Sequence, residues 1–399
     1  MHAARLGALS LAVLALVAAP AVATAATVAV EGGTLTFHGE GGEKNSETIT
    51  PTDARYIGVD DSGAYVKTGA ACYRDTFWPF PYYEAKCESA NVTSVEIHLG
   101  PGSDQGGARI DLPVALFGDL GSDSLVPPAH GLADGGPGDD FLSFYGDGDS
   151  TVSGGPGSDT VEYYTQSSYG DYHGVSLSVT LDGRPGDGAG SGQQYNVMPD
   201  VENVIGGDAP DRITGSDSAN RVDGNLADDT IATLGGNDTV EARDVFHDDD
   251  PHHPPVDYQP TRDVIDCGAG IDTVRADRLD AVSANCERVY RYAFVSHYDE
   301  GRDQTYESPR LELLTLRGSS GPDRLTGARS APNRILGRGG ADRLTGGRRS
   351  DSIDAGSGDD RVRVRDRSVD IVRCGGGRDT VIADANDQVG RSCERVIVR

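Results

Sequence analysis

A nine-residue period runs through much of the chain and constrains its fold more than any other feature. The consensus is Gly-Gly-x-Gly-x-Asp-x-(apolar)-x, and Gly135–Ser143 (GGPGDDFLS) and Gly154–Glu162 (GGPGSDTVE) match it at every position. Four units follow one another without a gap over residues 206–241. Further units begin at Gly318, Gly337, Gly346 and Ala355, and weaker copies at Leu99 and Gly118. Composition alone does not preserve a nine-residue phase, so the period predicts a repeat solenoid rather than a disordered glycine-rich chain.

The eighth position of these units is apolar, which distinguishes a folded repeat from a flexible linker. Its occupants are Leu142, Val152, Val161, Ile213, Val222, Ile231, Val240, Leu325, Leu344, Ile353 and Val362. The last three residues of a unit therefore predict a short strand whose central side chain points inward while its neighbours point outward. The first six residues predict a turn. Two units complete one coil, so alternate units stack on the same side.

The predicted turns are rich in oxygen ligands for a hard cation. Glycine permits positive φ and close backbone approach, which aims carbonyl oxygens into the turn, and the sixth-position aspartate adds a carboxylate. Ca²⁺ takes about six to eight oxygens, which one turn cannot supply but two stacked turns can. The coil repeat predicts that Asp211 lies beside Asp229, and Asp342 beside Asp360, at a strand spacing of ~4.8 Å.

The predicted calcium ligands are the sixth-position aspartates and the turn glycines. The aspartates are Asp140, Asp159, Asp211, Asp229, Asp238, Asp272, Asp323, Asp342, Asp351, Asp360 and Asp379. The glycines are Gly136, Gly138, Gly155, Gly157, Gly207, Gly236, Gly270, Gly340, Gly358 and Gly377. For each carboxylate the alternative is an ordinary turn aspartate that caps its own backbone. Ser150 and Asn220 occupy the aspartate slot in two units, where we expect weaker or empty sites.

Six cysteines fall in three local pairs, which is typical of a chain folded in an oxidising compartment. Asp263–Val289 and Asp370–Val396 are near copies, and in each the second cysteine follows the first by nineteen residues. That distance is close to one coil and places the two Cα atoms roughly one strand spacing apart. It predicts disulfides Cys267–Cys286 and Cys374–Cys393, each closing a roll, with free buried thiols as the alternative. A third disulfide, Cys72–Cys87, is predicted to pin an N-terminal module.

The chain begins with the pattern of an export signal. Arg5 precedes the apolar run Leu6–Ala19, and Ala23-Thr24-Ala25 fits a small-residue cleavage site, so a Sec signal peptide is predicted and a membrane anchor is the alternative. The formal net charge is −28, 54 residues are glycine and 37% are hydrophobic. So little apolar surface cannot offset the conformational entropy lost when several large cores are ordered. Metal ions are expected to supply the remaining stabilisation.

The expected fold is all-β: right-handed parallel β-roll tracts with a small N-terminal antiparallel β module. Alternating apolar residues from Thr27 onward, with Trp78 as the only tryptophan, predict that module. The expected segments are a signal peptide (1–25), the β module (26–98), a first repeat tract (99–163), a spacer with a strand (164–205), a second tract with a Cys-closed end (206–289), a spacer (290–316) and a third tract with a Cys-closed end (317–399).

The nonapeptides resemble the RTX, or hemolysin-type, calcium-binding repeats. Asp200–Gly207 (DVENVIGG) is similar to the usual start of an RTX block, and the cysteine-paired N-terminal module and the two CERV endings resemble those of secreted RTX-like proteins of actinobacterial type. The resemblance implies a right-handed parallel β-roll, folding induced by Ca²⁺, and an extracellular location. An N-terminal signal departs from the one-step secretion route of many RTX proteins.

The sequence predicts a secreted, non-enzymatic calcium-binding protein with a structural or adhesive role. It contains no GxSxG, HExxH or phosphate-loop motif. The alternatives are a secreted hydrolase that uses the roll as a carrier and a metal-free β-solenoid. The histidines of Phe246–His253 could ligate a transition metal, but a polar insertion loop explains them as well. The arginines after Arg310 are expected to face solvent. Calcium is the expected partner, a surface polysaccharide or protein is possible, and no nucleic acid or membrane span is expected.

Overall fold

The computed structural model describes residues 26–40, 46–53, 55–61, 66–74, 84–163, 175–190, 192–244, 260–299 and 304–398. The predicted signal peptide, Trp78 and the histidine cluster at 246–253 lie outside these residues. Within them the chain is all-β apart from one short 3₁₀ turn. No described helix is long and apolar enough to cross a membrane.

The described residues of the N-terminal module form seven strands, and the module is stacked on the first coil of the solenoid. The strands are β1 (Thr27–Glu31), β2 (Thr34–His38), β3 (Ser46–Asp53), β4 (Tyr56–Asp61), β5 (Lys67–Thr68), β6 (Cys72–Arg74) and β7 (Glu84–Glu88), followed by the 3₁₀ turn Ser89–Asn91. Strands β1–β2, β3–β4, β4–β7 and β6–β7 pair antiparallel. Leu35 and Phe37 alternate with outward threonines and are fully buried, as a strand with one face on a core requires.

The first coils follow directly, built from short strands that pair in parallel, with one antiparallel pair formed by Leu177–Thr180 and Gly188–Ala189. They are β8 (Ser94–His98), β9 (Pro101–Gly102), β10 (Gln105–Ala108), β11 (Val114–Phe117), β12 (Leu120–Gly121), β13 (Ser124–Val126), β14 (Gly131–Asp134), β15 (Phe141–Phe144), β16 (Thr151–Ser153), β17 (Thr160–Tyr163), β18 (Leu177–Thr180), β19 (Gly188–Ala189), β20 (Asn196–Val197) and β21 (Asn203–Ile205). Strand β2 pairs in parallel with β8, and β3 with β10, so the N-terminal module covers both faces of the first coil.

The second tract continues the stack in the nine-residue phase. Its strands are β22 (Arg212–Thr214), β23 (Arg221–Asp223), β24 (Thr230–Ala232), β25 (Thr239–Ala242), β26 (Val264–Asp266), β27 (Thr273–Asp277) and β28 (Ala281–Val282). Odd and even units form opposite faces, with Ile213 in register with Ile231 on one face and Val222 with Val240 on the other. The eighteen-residue coil predicted from the repeat is confirmed by these registers.

A long hairpin joins the second tract to the third and reverses the strand direction. It consists of β29 (Arg288–Asp299) and β30 (Gln304–Arg317), which pair antiparallel, whereas β29 pairs in parallel with β27. Strand β30 then pairs in parallel with the first strand of the third tract on that face, β32 (Asn333–Leu336). One continuous sheet therefore passes through both rolls, but the strands of the third roll run opposite to those of the second.

The third tract forms a separate roll with its own core. Its strands are β31 (Arg324–Thr326), β32 (Asn333–Leu336), β33 (Arg343–Thr345), β34 (Ser352–Asp354), β35 (Arg361–Arg363), β36 (Ile371–Arg373), β37 (Thr380–Ala383), β38 (Gln388–Val389) and β39 (Arg395–Val398). Of the apolar eighth-position residues, all are buried except Leu325, which is half-buried. This core is distinct from the longer core of the preceding coils.

All three predicted disulfides are present. Cys267–Cys286 and Cys374–Cys393 join residues one coil apart, with Cα atoms 5.3 Å and 5.1 Å from each other. Cys72–Cys87 joins the adjacent strands β6 and β7. Each of the two rolls that end in a near-copy segment is thus closed covalently at its last coil.

Candidate metal centre

Columns of aspartates run along the edges of the rolls, held by one recurring hydrogen bond. The backbone N–H of each turn aspartate donates to Oδ1 of the aspartate one coil later, as in Asp140 to Asp159, Asp211 to Asp229 and Asp342 to Asp360, each at 2.8 Å. Five columns result: Asp104, Asp123, Asp140 and Asp159; Asp211, Asp229, Asp263 and Asp280; Asn220, Asp238 and Asp272; Asp323, Asp342, Asp360 and Asp379; and Asn333, Asp351, Asp370 and Asp387.

The second carboxylate oxygen separates these turns into two kinds. In eight of the predicted ligands Oδ2 is buried and accepts no hydrogen bond: Asp140, Asp159, Asp229, Asp238, Asp272, Asp342, Asp360 and Asp379. In Asp211, Asp323 and Asp351 it accepts the N–H of the second turn residue of the same unit, Gly207, Ser319 and Gly347 respectively. We call the first kind open turns and the second kind closed turns. The self-capping alternative therefore describes the closed turns.

The backbone at the second turn position decides between the two kinds. In the open turns this residue has positive φ, for example 90° at Gly136, 97° at Gly155, 68° at Leu234 and 68° at Arg338. The left-handed conformation turns the N–H away from the carboxylate, and Oδ2 is left without a donor. In the closed turns the second residue is outside that region and its N–H caps the carboxylate. Asn220 and Asn333 are capped in the same way, by Ser216 and Ala328.

Backbone carbonyl oxygens line the open turns because successive turns approach closely. A Cβ on Gly358 would lie 1.9 Å from the carbonyl oxygen of Gly340, and one on Gly377 would lie 1.9 Å from that of Gly358. The predicted glycines Gly138 and Gly157 lack positive φ, but they meet the same constraint. A Cβ on Gly138 would lie 1.4 Å, and one on Gly157 1.5 Å, from a carbonyl oxygen of the preceding coil. Stacking therefore favours glycine at the fourth position, although the open turn of Asp229 has Ala227 there, with a φ of 83°.

Burial makes the stacked carboxylates costly to ionise in the absence of a cation. Desolvation, with repulsion from neighbouring carboxylates, raises the pKa of Asp140 and Asp360 to about 6 and that of Asp159 to about 7. The same causes raise the pKa of Asp229 to about 10. A nearby positive charge is the ordinary remedy for a buried carboxylate. A hard divalent cation fits these turns, since unpartnered carboxylate oxygens and carbonyl oxygens are the ligands that Ca²⁺ prefers.

Four further aspartates of the columns lie outside the nine-residue phase and were not among the predicted ligands. Asp263, Asp280, Asp370 and Asp387 continue the columns next to the Cys-closed ends. The signal was present in the two near-copy segments, which repeat these carboxylates at the same spacing. Asp123, from one of the weaker units, also has a buried Oδ2 without a partner.

This fold and these turns define a parallel β-solenoid with cation-binding edges. The family model for the RTX calcium-binding nonapeptide repeat matches the chain at residues 145–163, 205–240 and 336–364, in four copies. These segments of the chain are thus RTX calcium-binding nonapeptide repeats, and the cofactor that such repeats bind is Ca²⁺. No curated protein matches the chain.

Replacing an open-turn aspartate should weaken calcium binding more than replacing a closed-turn aspartate of the same column. We expect Asp360→Asn to lower the calcium affinity of the third roll roughly tenfold, because the change removes a charge whose Oδ2 has no protein donor. Asp323→Asn is the matched control, since Oδ2 of Asp323 is already capped by Ser319. Calcium titration followed by calorimetry distinguishes them, and equal losses in both variants would contradict the division into open and closed turns.

The stability of the calcium-free chain should increase as the pH falls from 8 to 5. The folded-state pKa values of Asp140, Asp159 and Asp360 lie above the unfolded value, so protonation favours the folded state at low pH and that contribution is lost as pH rises through about 6 to 7. Calcium competes with these protons, so the gain of β structure on adding calcium should be larger at pH 8 than at pH 5. Far-ultraviolet circular dichroism in EGTA and in calcium at each pH measures both, and a calcium-induced gain that is independent of pH would refute the prediction.

Proposed function

We propose that the chain is exported in an unfolded, calcium-free form and folds outside the cell into a non-catalytic structural or adhesive protein. The predicted signal peptide at 1–25 and the three disulfides support export. The seven-segment division of the chain is part of this proposal. So is the assignment of the open-turn aspartates and their turn glycines as the calcium ligands.

The observation that carries the proposal is the set of buried Oδ2 atoms without partners. Stacked carboxylates in a poorly solvated edge repel one another, and the thin core of one apolar side chain per strand offsets little of that repulsion. Extracellular calcium modules bind with affinities of ~10⁻⁴–10⁻³ M, which suffices outside a cell and not in a cytosol depleted of calcium. Binding free energy then becomes folding free energy.

Calcium should convert the mature chain from an unfolded to a β-sheet state. We expect far-ultraviolet circular dichroism of residues 26–399 at pH 7.5 to show little β structure in EGTA, and a cooperative gain of β signal on titration with CaCl₂. MgCl₂ at the same concentration is the control, because Mg²⁺ demands a smaller and more regular octahedral site. A spectrum that is unchanged by calcium, with no calcium bound, would favour a metal-free β-solenoid and contradict the proposal.

A column of exposed arginines on the third roll supports an adhesive role. Arg324, Arg343 and Arg361 lie in register on adjacent strands, and Arg395 follows after Thr380. All four arginines are exposed. None of them forms an ion pair or a side-chain hydrogen bond among the residues that the structure describes. Each of the first three arginines directly follows a turn aspartate in the sequence: Asp323, Asp342 and Asp360. These carboxylates point into the turns, so they do not neutralise the column of arginines.

The arginine column lies on the five-stranded sheet β31-β33-β35-β37-β39, and no strand of this sheet contains a carboxylate. Strands β31, β33 and β35 read RLT, RLT and RVR, and β37 and β39 read TVIA and RVIV. Like charges directly opposite one another on neighbouring strands are destabilising, so an anionic partner would reduce the repulsion among these arginines. A linear anionic polysaccharide, with a charge on each sugar unit, matches a straight row of guanidinium groups. We assign this partner class to the column.

Loss of one arginine from the middle of the column should weaken binding to a sulfated polysaccharide. We expect Arg343→Ser to raise the Kd of the calcium-loaded chain for immobilised dextran sulfate roughly two- to fivefold, the worth of one exposed charge pair. Arg349→Ser, an exposed turn arginine outside the column, is the matched control. Surface plasmon resonance with neutral dextran as the blank measures both. Equal weakening by the two variants would show that only net charge matters and would remove the column as a site.

A further inference from the structure

The arginine column of the third roll is interrupted at one position, Thr380. This threonine is in register with Arg361 of β35 on one side and with Arg395 of β39 on the other. The two arginines are therefore two strand spacings apart, ~9.6 Å along the row. Because threonine is much shorter than arginine, the interruption leaves a gap between them, which we call the notch. A cavity of about 490 Å³ lies at this place, and Arg361, Thr380 and Arg395 are among its lining residues.

The carboxylates that line the notch are already engaged with protein donors. Oδ1 of Asp359 accepts the Arg378 N–H at 2.9 Å, and its Oδ2 lies 3.4 Å from Nη2 of the same arginine. Oδ1 of Asp379 accepts the Asp360 N–H at 2.9 Å, and Oε2 of Glu394 accepts the Asp379 N–H at 2.8 Å. Ca²⁺ bound in the open turns would neutralise the second oxygens of Asp360 and Asp379. The calcium-loaded notch therefore presents guanidinium groups rather than carboxylates to a ligand.

A short apolar strip borders the notch on the same face of the sheet. Ile382 follows Thr380 by two residues on β37, so the two side chains point to the same side. Ile382 is in register with Ile397 of β39 and with Arg363 of β35. Both isoleucines are half-buried, whereas Arg363 is exposed. Apolar surface beside a few convergent polar groups is the composition of a small-molecule site, and it suits a sugar ring that has apolar C–H faces and one charged substituent.

The rest of the column has a different surface. Arg324, Arg343 and Arg361 follow one another at single strand spacing, and threonines, Thr326 and Thr345, occupy the neighbouring outward positions on the first two of these strands. Adjacent arginines there leave no gap, so an anion can meet them only from the solvent side. At the notch, by contrast, two arginines stand on either side of an open space. This difference separates a specific site from a row that attracts anions through its charge alone.

We propose that the notch binds one sulfate ester of a sugar and is the specific subsite of the arginine column, an inference that rests on the proposed polysaccharide partner. Arg361 and Arg395 donate to the sulfate oxygens from opposite sides, and the Thr380 hydroxyl donates from the floor. The three terminal oxygens of a sulfate ester match donors on three sides, and hydrogen bonds from a guanidinium to an oxyanion are strong and directional. The sugar ring lies against Ile382 and Ile397.

The test fills the notch while adding a positive charge. Thr380→Arg would strengthen sulfate binding if charge alone mattered, but it blocks the proposed site. We expect the Kd of the calcium-loaded mature chain for monosulfated lactose to rise roughly five- to tenfold, the loss of one well-placed charged hydrogen bond. Thr326→Arg adds the same charge at an exposed position of β31, three strands away, and is the matched control. Its Kd should stay within about twofold of the wild type. Isothermal titration calorimetry with lactose as the blank measures both variants.

Removal of single arginines gives a second comparison. Arg361→Ser should raise the Kd for monosulfated lactose roughly fivefold, whereas Arg324→Ser, in the column but away from the notch, should not change it. A wild-type chain that does not bind monosulfated lactose, or a Thr380→Arg variant that binds it as well as Thr326→Arg does, would overturn the notch as a site. Binding of dextran sulfate by the wild type would in that case still support the column. Absence of dextran sulfate binding would overturn the proposed partner itself.

Discussion

The hydrogen bond from the N–H of one turn aspartate to Oδ1 of the aspartate one coil later is the interaction on which the rest of the structure depends. It fixes the register of successive coils, and the neighbouring fifth-position aspartates add a parallel bond, since Oδ1 of Asp139 and of Asp359 accept the N–H of the residue one coil later. It also forces each carboxylate into the edge of the roll, where water is scarce. The bond that aligns the coils therefore concentrates negative charge in a poorly solvated column, and the column requires cations to persist at neutral pH.

Which turns take part in cation binding depends on backbone conformation more than on composition. Leu234 and Arg338 adopt positive φ although neither is glycine, and their turns leave Oδ2 of Asp238 and Asp342 without a donor. Gly207, by contrast, is a glycine without positive φ, and its N–H caps Asp211. A turn that fits the glycine consensus at this position can thus be closed, and one that departs from it can be open.

This explains what could and could not be predicted from the sequence. The nine-residue phase predicts the strands, the inward apolar residues and the one-coil spacing of Cys267–Cys286 and Cys374–Cys393, because each follows from counting along a regular coil. The open and closed turns could not be separated, since the second turn residue is set by stacking on its neighbours. The reversal at β29–β30 was also missed. Alternating residues predict a strand, but they do not reveal whether it pairs with the preceding coil or with its own successor.

The ends of the rolls show how a solenoid stops when its stability comes from layers that share ions. An aspartate in the middle of a column has oxygen-bearing turns on both sides, whereas the last one has a turn on one side only. On one edge of each roll the chain there replaces aspartate by glutamate: Oε2 of Glu287 accepts the Asp272 N–H, and Oε2 of Glu394 accepts the Asp379 N–H. The longer side chain completes the column without another glycine turn. Because no further layer exists to share a cation, the last coil is joined to its neighbour by a covalent bond, and a disulfide takes the place that an ion holds elsewhere.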